Sequence, residues 1–357
     1  MIEPEPEPEQ RRPPPASPLD TLPEVAQATA ASAAHVAALL RAGEPFVLKG
    51  AIDHWPALAA ARVSPAALGS YLRSIDRGGT VPVMEAPAAS GGRFGYAADL
   101  REFTFTKRQR PLGETLDRIE RGIGIAGAPI VAIQMLPLAT QLPDFVRDNA
   151  MPLVPAGSGP RLWLGGPVRT QIHNDRDHNL ACILAGRRRF LLFPPEQVAN
   201  LYIGPPDRPP ALSLVDPEAP DFAVFPRFRE ALAEARVAHL GPGDALLLPR
   251  YWWHHVTSRD PYNAMVNHWW GDAARGLENA GDCFLAALLA IKHLPARERL
   301  YWRAMFETHV FDETGPGVAH IPPRLRSYLG EMPAHERAAL IRRLEAVILK
   351  PSGVKPS

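Results

Sequence analysis

The stretch TQIHNDRDHN, residues 170–179, crowds two histidines, two aspartates and two asparagines into ten positions. Imidazole nitrogens and carboxylate oxygens are ligands for a divalent transition metal, and in an extended chain residues two apart share a face. His173 and Asp175 therefore reach one ion together. Asp177 has the same parity, whereas Asn174 and Arg176 face away. An HxD pair on its own is weak, because the same residues also make a polar strand end or turn. A second fragment strengthens it. Residues 241–256, GPGDALLLPRYWWHHV, run a turn and an apolar strand into two tryptophans and two histidines. An apolar strand ending at an imidazole makes physical sense where that imidazole is fixed inside a dry cavity.

Two imidazoles and one carboxylate on one face of an octahedral ion leave up to three positions open, the ligand set of non-haem Fe(II) oxygenases. Such chemistry needs the openings because co-substrate and dioxygen bind side by side. A structural zinc site would close its shell, usually with cysteines. Here Cys182 and Cys283 are the only two, far apart and in apolar contexts, which fits buried thiols in a reducing compartment. The residues alone leave His254 and His255 as alternatives. Neighbours on a strand point to opposite faces, and Leu246–Leu248 are apolar on both.

The elements that must position these groups are legible in outline. From about 160 to 272, short apolar or alternating segments (RLWLG, LACILAG, RRFLLFP, DALLLP, NAMVNHWW) are separated by glycine, proline and Asx turns, the texture of a β-sandwich or barrel. An interruption at 203–236 is too long for a hairpin loop. Upstream, a helix ended by Gly43 precedes a strand over Phe46–Leu48, a second helix spans 113–122 with Leu116 and Ile119 on its apolar face, and APIVAIQMLP reads as a strand. After Gly271 the pattern turns helical, and Leu340, Ile341, Leu344, Val347 and Ile348 form one stripe. Stripes of that kind need covering, by the sheet or by a second copy of the chain. Residues 1–20, rich in Pro and Glu, carry too little apolar surface to offset their ordering entropy and read as a disordered tail.

The 357 residues carry 39 Lys plus Arg against 38 Asp plus Glu, with the basic residues scattered, which argues against a nucleic-acid partner. No apolar run spans a bilayer and no secretory h-region is present, so we expect a cytoplasmic protein without a membrane partner.

Together the segments RLWLGGPVRTQIHNDRDHNLACILAGRRRFLLFPPEQVANLY, GPGDALLLPRYWWHHV and MVNHWW resemble the cupin-like JmjC family of Fe(II)- and 2-oxoglutarate-dependent oxygenases, notably the branch that holds the asparaginyl hydroxylase of hypoxia-inducible factor. PFVLKGAIDHWP and PLGETLDRIERG extend the likeness upstream, the spacer LVDPEAPDFAVFPRF shares in it, and the whole covers about residues 40–310. The resemblance implies a mainly β double-stranded β-helix of cupin or jelly-roll type (domain 21–272, core about 130–272), with N-terminal α/β elements. It also implies a C-terminal helical region, 273–357, that serves as a homodimerisation element. It makes His173, Asp175 and His254 the iron ligands and leaves Asp177, His178 and His255 as bystanders. Thr170, Asn179 and Asn267 match groups around 2-oxoglutarate, and Trp269 matches an inward aromatic. The lysine that meets the distal carboxylate in that branch falls on Arg188, whose fork binds a carboxylate bidentately but is longer and more rigid. Arg187 and Arg189 are expected to face solvent or the partner sheet, and the tyrosine that touches the co-substrate in that branch is missing from PIVAIQM. Trp252, Trp253 and Trp270 either line the dry wall or simply pack.

The implied activity is hydroxylation of a protein or peptide side chain, or of a small molecule, with 2-oxoglutarate converted to succinate. Two rival readings remain at this level: a divalent-metal cupin isomerase or hydrolase without 2-oxoglutarate, and a non-catalytic metal-binding module. Thr170, Asn179, Arg188 and Asn267 together favour the oxygenase, since they supply a cation and amides for a dicarboxylate.

Overall fold

Side-chain parity along the strands decides which residues meet between two sheets and which meet the helices outside. The computed structural model describes residues 18–29, 32–97, 102–204, 211–271, 279–312, 316–330 and 332–348. Two compact units result, Met1–Gly271 and Asp272–Ser357.

The first unit holds fourteen strands among its described residues: β1 (Gln27–Thr29), β2 (Phe46–Lys49), β3 (Thr80–Ala86), β4 (Arg93–Phe94), β5 (Thr106–Pro111), β6 (Ile130–Pro137), β7 (Gly159–Gly165), β8 (Arg169–Thr170), β9 (His178–Ala185), β10 (Arg188–Phe193), β11 (Arg236–Leu240), β12 (Ala245–Leu248), β13 (Trp253–Ser258) and β14 (Asn263–Trp270). Nine form one sheet in the order β1-β2-β12-β9-β14-β7-β6-β3-β5, and five form a second in the order β11-β10-β13-β8-β4. The sheets pack face to face. Ala181, Ile183, Leu246, Leu248 and Met265 of the larger meet Phe190, Leu192, Ala238, Leu240 and Val256 of the smaller. Burial of such side chains contributes about 25 cal/mol per Å² of apolar surface.

The alternate residues of the large sheet, Leu180, Cys182, Leu184, Ala245, Leu247, Ala264 and Val266, pack outward. They meet Leu58 of α2 (Pro56–Val63), Leu68 and Leu72 of α3 (Pro65–Ser74) and Leu116 and Ile119 of α4 (Leu112–Gly122). β12 is apolar on both faces because it lies between these two layers. The outer face of the small sheet is sealed by the insertion expected at 203–236: Leu191, Phe193 and Trp253 pack against Val215, Phe228 and Ala231.

Several expectations need correction. The chain is mixed α/β rather than mainly β, because helical residues outnumber strand residues. Much of that helix belongs to the C-terminal unit, whose α-helices span Ala280–Ala290, Ala296–Phe306 and Ala334–Ile348, while α2 and α3 add helix upstream that the sequence reading did not contain. Of the expected tail, residues 1–17 lie outside the described residues, while Pro18–Thr21 is a 3-10 turn whose Leu19 is buried in the outer cluster. Cys182 is buried as expected but Cys283 is exposed, and neither forms a disulfide.

The second unit is helical, with Ala280–Ala290, Ala296–Phe306 and Ala334–Ile348 as its α-helices among the described residues. Among its residues of described burial none is buried, and Phe284, Leu285, Leu289, Leu300, Tyr301 and Trp302 are exposed. Among the described residues no helix is long and apolar enough to cross a membrane.

Candidate metal centre

The segment joining β8 to β9 carries the HxD pair. It is irregular rather than the extended strand the period-two reading assumes, and a single antiparallel bridge pins it to β13. His173 N–H donates to His254 O at 3.1 Å, and His254 N–H donates to His173 O at 2.7 Å. This bridge sets the two imidazole rings 4.3 Å apart between centroids. The neighbouring turn fixes the third group. Tyr251 sits in the left-handed region (φ 70°), at a cost of the order of 1 kcal/mol, and its N–H donates to Asp175 O at 2.9 Å. The Asn174 Nδ2 amide donates back to Tyr251 O at 3.3 Å.

The side chains converge. One ligand atom each from His173, Asp175 and His254 lies within 4.8 Å of the others, and His254 Nε2 is 3.8 Å from Asp175 Oδ2. His173 Nδ1 is 2.8 Å from Gln171 O, and His254 Nδ1 is 3.1 Å from Trp252 O. A carbonyl oxygen only accepts, so each Nδ1 carries a ring proton and each Nε2 is the nitrogen left to ligate in the gap. Burial first, then the neighbouring His173, lowers the His254 pKa to about 4, which keeps the ring neutral and ready to ligate. Two imidazoles and a carboxylate, the rings oriented by backbone carbonyls, fit a divalent ion with open positions.

His255 points the other way, as strand alternation requires. Its Nε2 lies 3.2 Å from Glu218 Oε1, and Thr257 Oγ1 donates to the same oxygen at 3.0 Å. Asp177 approaches Gly271 at the far end of β14 and is not in the ligand cluster. His178 Nδ1 accepts from Arg250 N–H at 3.1 Å and its ring lies 5.9 Å from Trp270.

The remaining expected residues fall as follows. Arg188 is 8 % exposed, Nη1 lies 3.6 Å from Met265 Sδ, and buried Nε has no hydrogen-bond partner. Burial pushes its pKa down to about 10, so it remains charged at neutral pH. Asn267 Nδ2 donates to Asn179 Oδ1 at 2.8 Å, and Asn267 Oδ1 is buried without a partner. Thr170 Oγ1 accepts from Val256 N–H at 3.0 Å. Trp269 stands edge-on to Trp163 at 6.1 Å, and both indole Nε1 atoms are buried without partners. Trp252 and Trp253 split between the inter-sheet core and the outer cluster, each donating its indole N–H to a backbone carbonyl. Arg187 is exposed and ion-paired to Asp260. Arg189 faces neither solvent nor the partner sheet. It is 1 % exposed beneath the insertion and pairs with Glu218.

Two residues escaped sequence reading. Trp163 sits on β7, where RLWLG signals a strand but not which face matters. Glu218 lies in an irregular loop within LVDPEAPDFAVFPRF, a spacer that shares in the family resemblance without assigning this residue a role.

Residues 31–275 of the 357 match the cupin-like domain family, and the chain belongs to that family. HSPB1-associated protein 1 of Homo sapiens is 38% identical over 120 residues, covering 32% of this chain and 24% of that protein. The chain thus spans about a quarter of that relative's length. The bifunctional peptidase and (3S)-lysyl hydroxylase JMJD7 of Homo sapiens is 28% identical over 257 residues, 63% of this chain and 77% of that protein. Lysine-specific demethylase 8 of Xenopus tropicalis is 27% identical over 235 residues, 64% of this chain and 48% of that protein.

Two measurements check this geometry. Titration with Co(II), followed by visible absorption, is expected to show His173→Ala and His254→Ala weakening binding by about a hundredfold or more, while Asp177→Asn stays within about twofold. The second concerns Glu218. Burial raises its pKa, but hydrogen bonds from His255 and Arg189 outweigh that and hold the carboxyl at about 2 against an ordinary 4.5. A depressed folded-state pKa gives stability that is full above the unfolded value and is lost as pH falls through the folded one. Urea unfolding should therefore show the gap between the parent and Glu218→Gln shrinking as pH falls from about 4.5 toward about 2. A gap independent of pH contradicts the ion pairing.

Proposed function

We propose that this chain is an Fe(II)- and 2-oxoglutarate-dependent oxygenase that hydroxylates a protein or peptide side chain or a small molecule, its two sheets closing as a double-stranded β-helix. The observation that carries the reading is Arg188. A buried guanidinium with only a thioether beside it costs several kcal/mol, and a fold keeps such a group where a ligand's carboxylate meets it. Arg188 lies on β10, whose cross-strand partner β13 carries His254. An anion anchor and a three-ligand metal centre on adjacent strands suit a dicarboxylate that reaches from one to the other.

When bound, Fe(II) with 2-oxoglutarate and dioxygen supplies an oxidant for a C–H bond and releases succinate and carbon dioxide. His173, Asp175 and His254 hold the ion. Arg188 takes the distal carboxylate through its fork, while Thr170, whose oxygen already accepts from Val256, keeps its own proton to donate. Asn267 Oδ1 and the indole N–H groups of Trp163 and Trp269 are further unsatisfied polar atoms available to bound groups. The apolar inter-sheet core keeps bulk water from the far side of the centre. The name of JMJD7, a (3S)-lysyl hydroxylase, supports hydroxylation of an amino-acid side chain, and that of lysine-specific demethylase 8 supports an amino-acid side chain as the target. The asparaginyl-hydroxylase branch performs the same class of reaction. A second copy of the chain covers the exposed apolar side chains of the C-terminal helices, making a homodimer.

Addition of Fe(II) and 2-oxoglutarate in air should yield succinate even without the natural substrate. An isomerase, a hydrolase or a binding module yields none. Arg188→Ala should raise the apparent KM for 2-oxoglutarate by about tenfold or more, with Arg188→Lys between it and the parent. Light scattering should give the mass of two chains, and Leu289→Glu with Trp302→Glu the mass of one. A parent that is monomeric at micromolar concentration contradicts the dimer.

A further inference from the structure

We propose that Glu218, on the insertion between β10 and β11, is a positioning residue that clamps the strands bearing Arg188 and His254 from their outer face; its effect on the metal rests on the reading above. Every site residue on these strands has a neighbour that points the opposite way. Arg189 follows Arg188, His255 follows His254, and Thr257 lies across from Arg189 in the β10–β13 register. All three outward groups meet one carboxylate oxygen, Glu218 Oε1, which takes Arg189 Nη2, His255 Nε2 at 3.2 Å and Thr257 Oγ1 at 3.0 Å. Arg189 and His255 are buried, so the convergence lies in a low-dielectric layer where charge-assisted bonds strengthen and a lost partner costs most.

The same loop is tied to the other ligand segment. Ser213 N–H donates to Ile172 O at 2.8 Å, and Gln171 Nε2 donates to Ser213 O at 3.0 Å. Gln171 is also the residue whose carbonyl orients His173. Glu218 itself is held by its own N–H, which donates to Asp216 Oδ1 at 3.1 Å. Six residues of one insertion, 213–218, thus grip the backs of all three site segments: Gln171–Ile172 behind His173, Thr257–His255 behind His254, and Arg189 behind Arg188. None of these contacts reaches the metal. The insertion acts through the ligands it backs, holding the gap between His173 and His254 and the span from that gap to Arg188.

The test uses the full chain and Co(II) as probe, with amide hydrogen exchange on the metal-free protein as a second readout. Glu218→Gln is isosteric and keeps an acceptor for Thr257 but removes the counter-charge of Arg189. It should weaken Co(II) by about tenfold and accelerate exchange in β10 and β13 but not in β7. Thr257→Val, which removes one donor and leaves the Arg189 pair, should give a smaller change in the same direction. Leu68→Ala in α3 serves as the stability control. It lowers the unfolding midpoint while leaving the Co(II) affinity within about twofold. Glu218→Gln that binds Co(II) as the parent does, with unchanged exchange in β13, overturns the clamp. So does a Leu68→Ala protein that loses affinity equally. A parent that takes up no Co(II) overturns the metal centre and with it the positioning role. That failure is distinct, because it precedes any change at Glu218.

Discussion

The site depends on one pair of backbone hydrogen bonds, those by which His173 and His254 bridge each other. Ligands 81 positions apart in the sequence become neighbours only because this bridge closes between an irregular segment and a regular strand. Once it forms, each imidazole spends its Nδ1 proton on the carbonyl two residues upstream, Gln171 for one and Trp252 for the other. Tautomer and ring orientation are then fixed by main chain alone. The repeated i to i−2 arrangement makes both Nε2 lone pairs face the same gap, and the left-handed turn at Tyr251 delivers Asp175 to its edge.

A second constraint is polarity across the small sheet. Its inner face combines apolar packing with His254 and the unpaired cation of Arg188, while its outer face combines apolar packing with the Glu218 cluster. The two polar sets are separated by no more than the backbone of β10 and β13. Each is costly in isolation. The outer one is satisfied internally by opposite charge, whereas the inner one lacks an anion among the described residues, which is the electrostatic asymmetry expected where a ligand enters on one face only.

Legibility in the sequence followed the strength of local signals. Strands β7, β9, β10, β12 and β14 are bounded by turn residues and were readable, as were α1 (Ala33–Arg41), ended by Gly43, and α4, with Leu116 and Ile119 buried. Helices α2 and α3 were not: alanine in α2 contrasts little with either face, and in α3 Gly69 and Ser70 break the run between Leu68 and Leu72. The choice between His254 and His255 could not be made from parity, because β12 is buried on both sides and the turn at Tyr251 intervenes before β13. The family resemblance supplied it. Arg189 illustrates the opposite limit: alternation gives its direction but not the layer waiting there, which is built from an insertion without periodicity. Glu218 belongs to that same layer: its segment shares in the resemblance, but its role is unreadable for the same reason.

The most direct measurement is the anomalous X-ray scattering of iron in crystals grown with Fe(II) in the absence of air. One iron bonded to His173 Nε2, an Asp175 oxygen and His254 Nε2, with its remaining positions free of protein atoms, is the expected result. Iron bound elsewhere, or bound here within a shell filled by protein ligands, contradicts the open three-ligand centre.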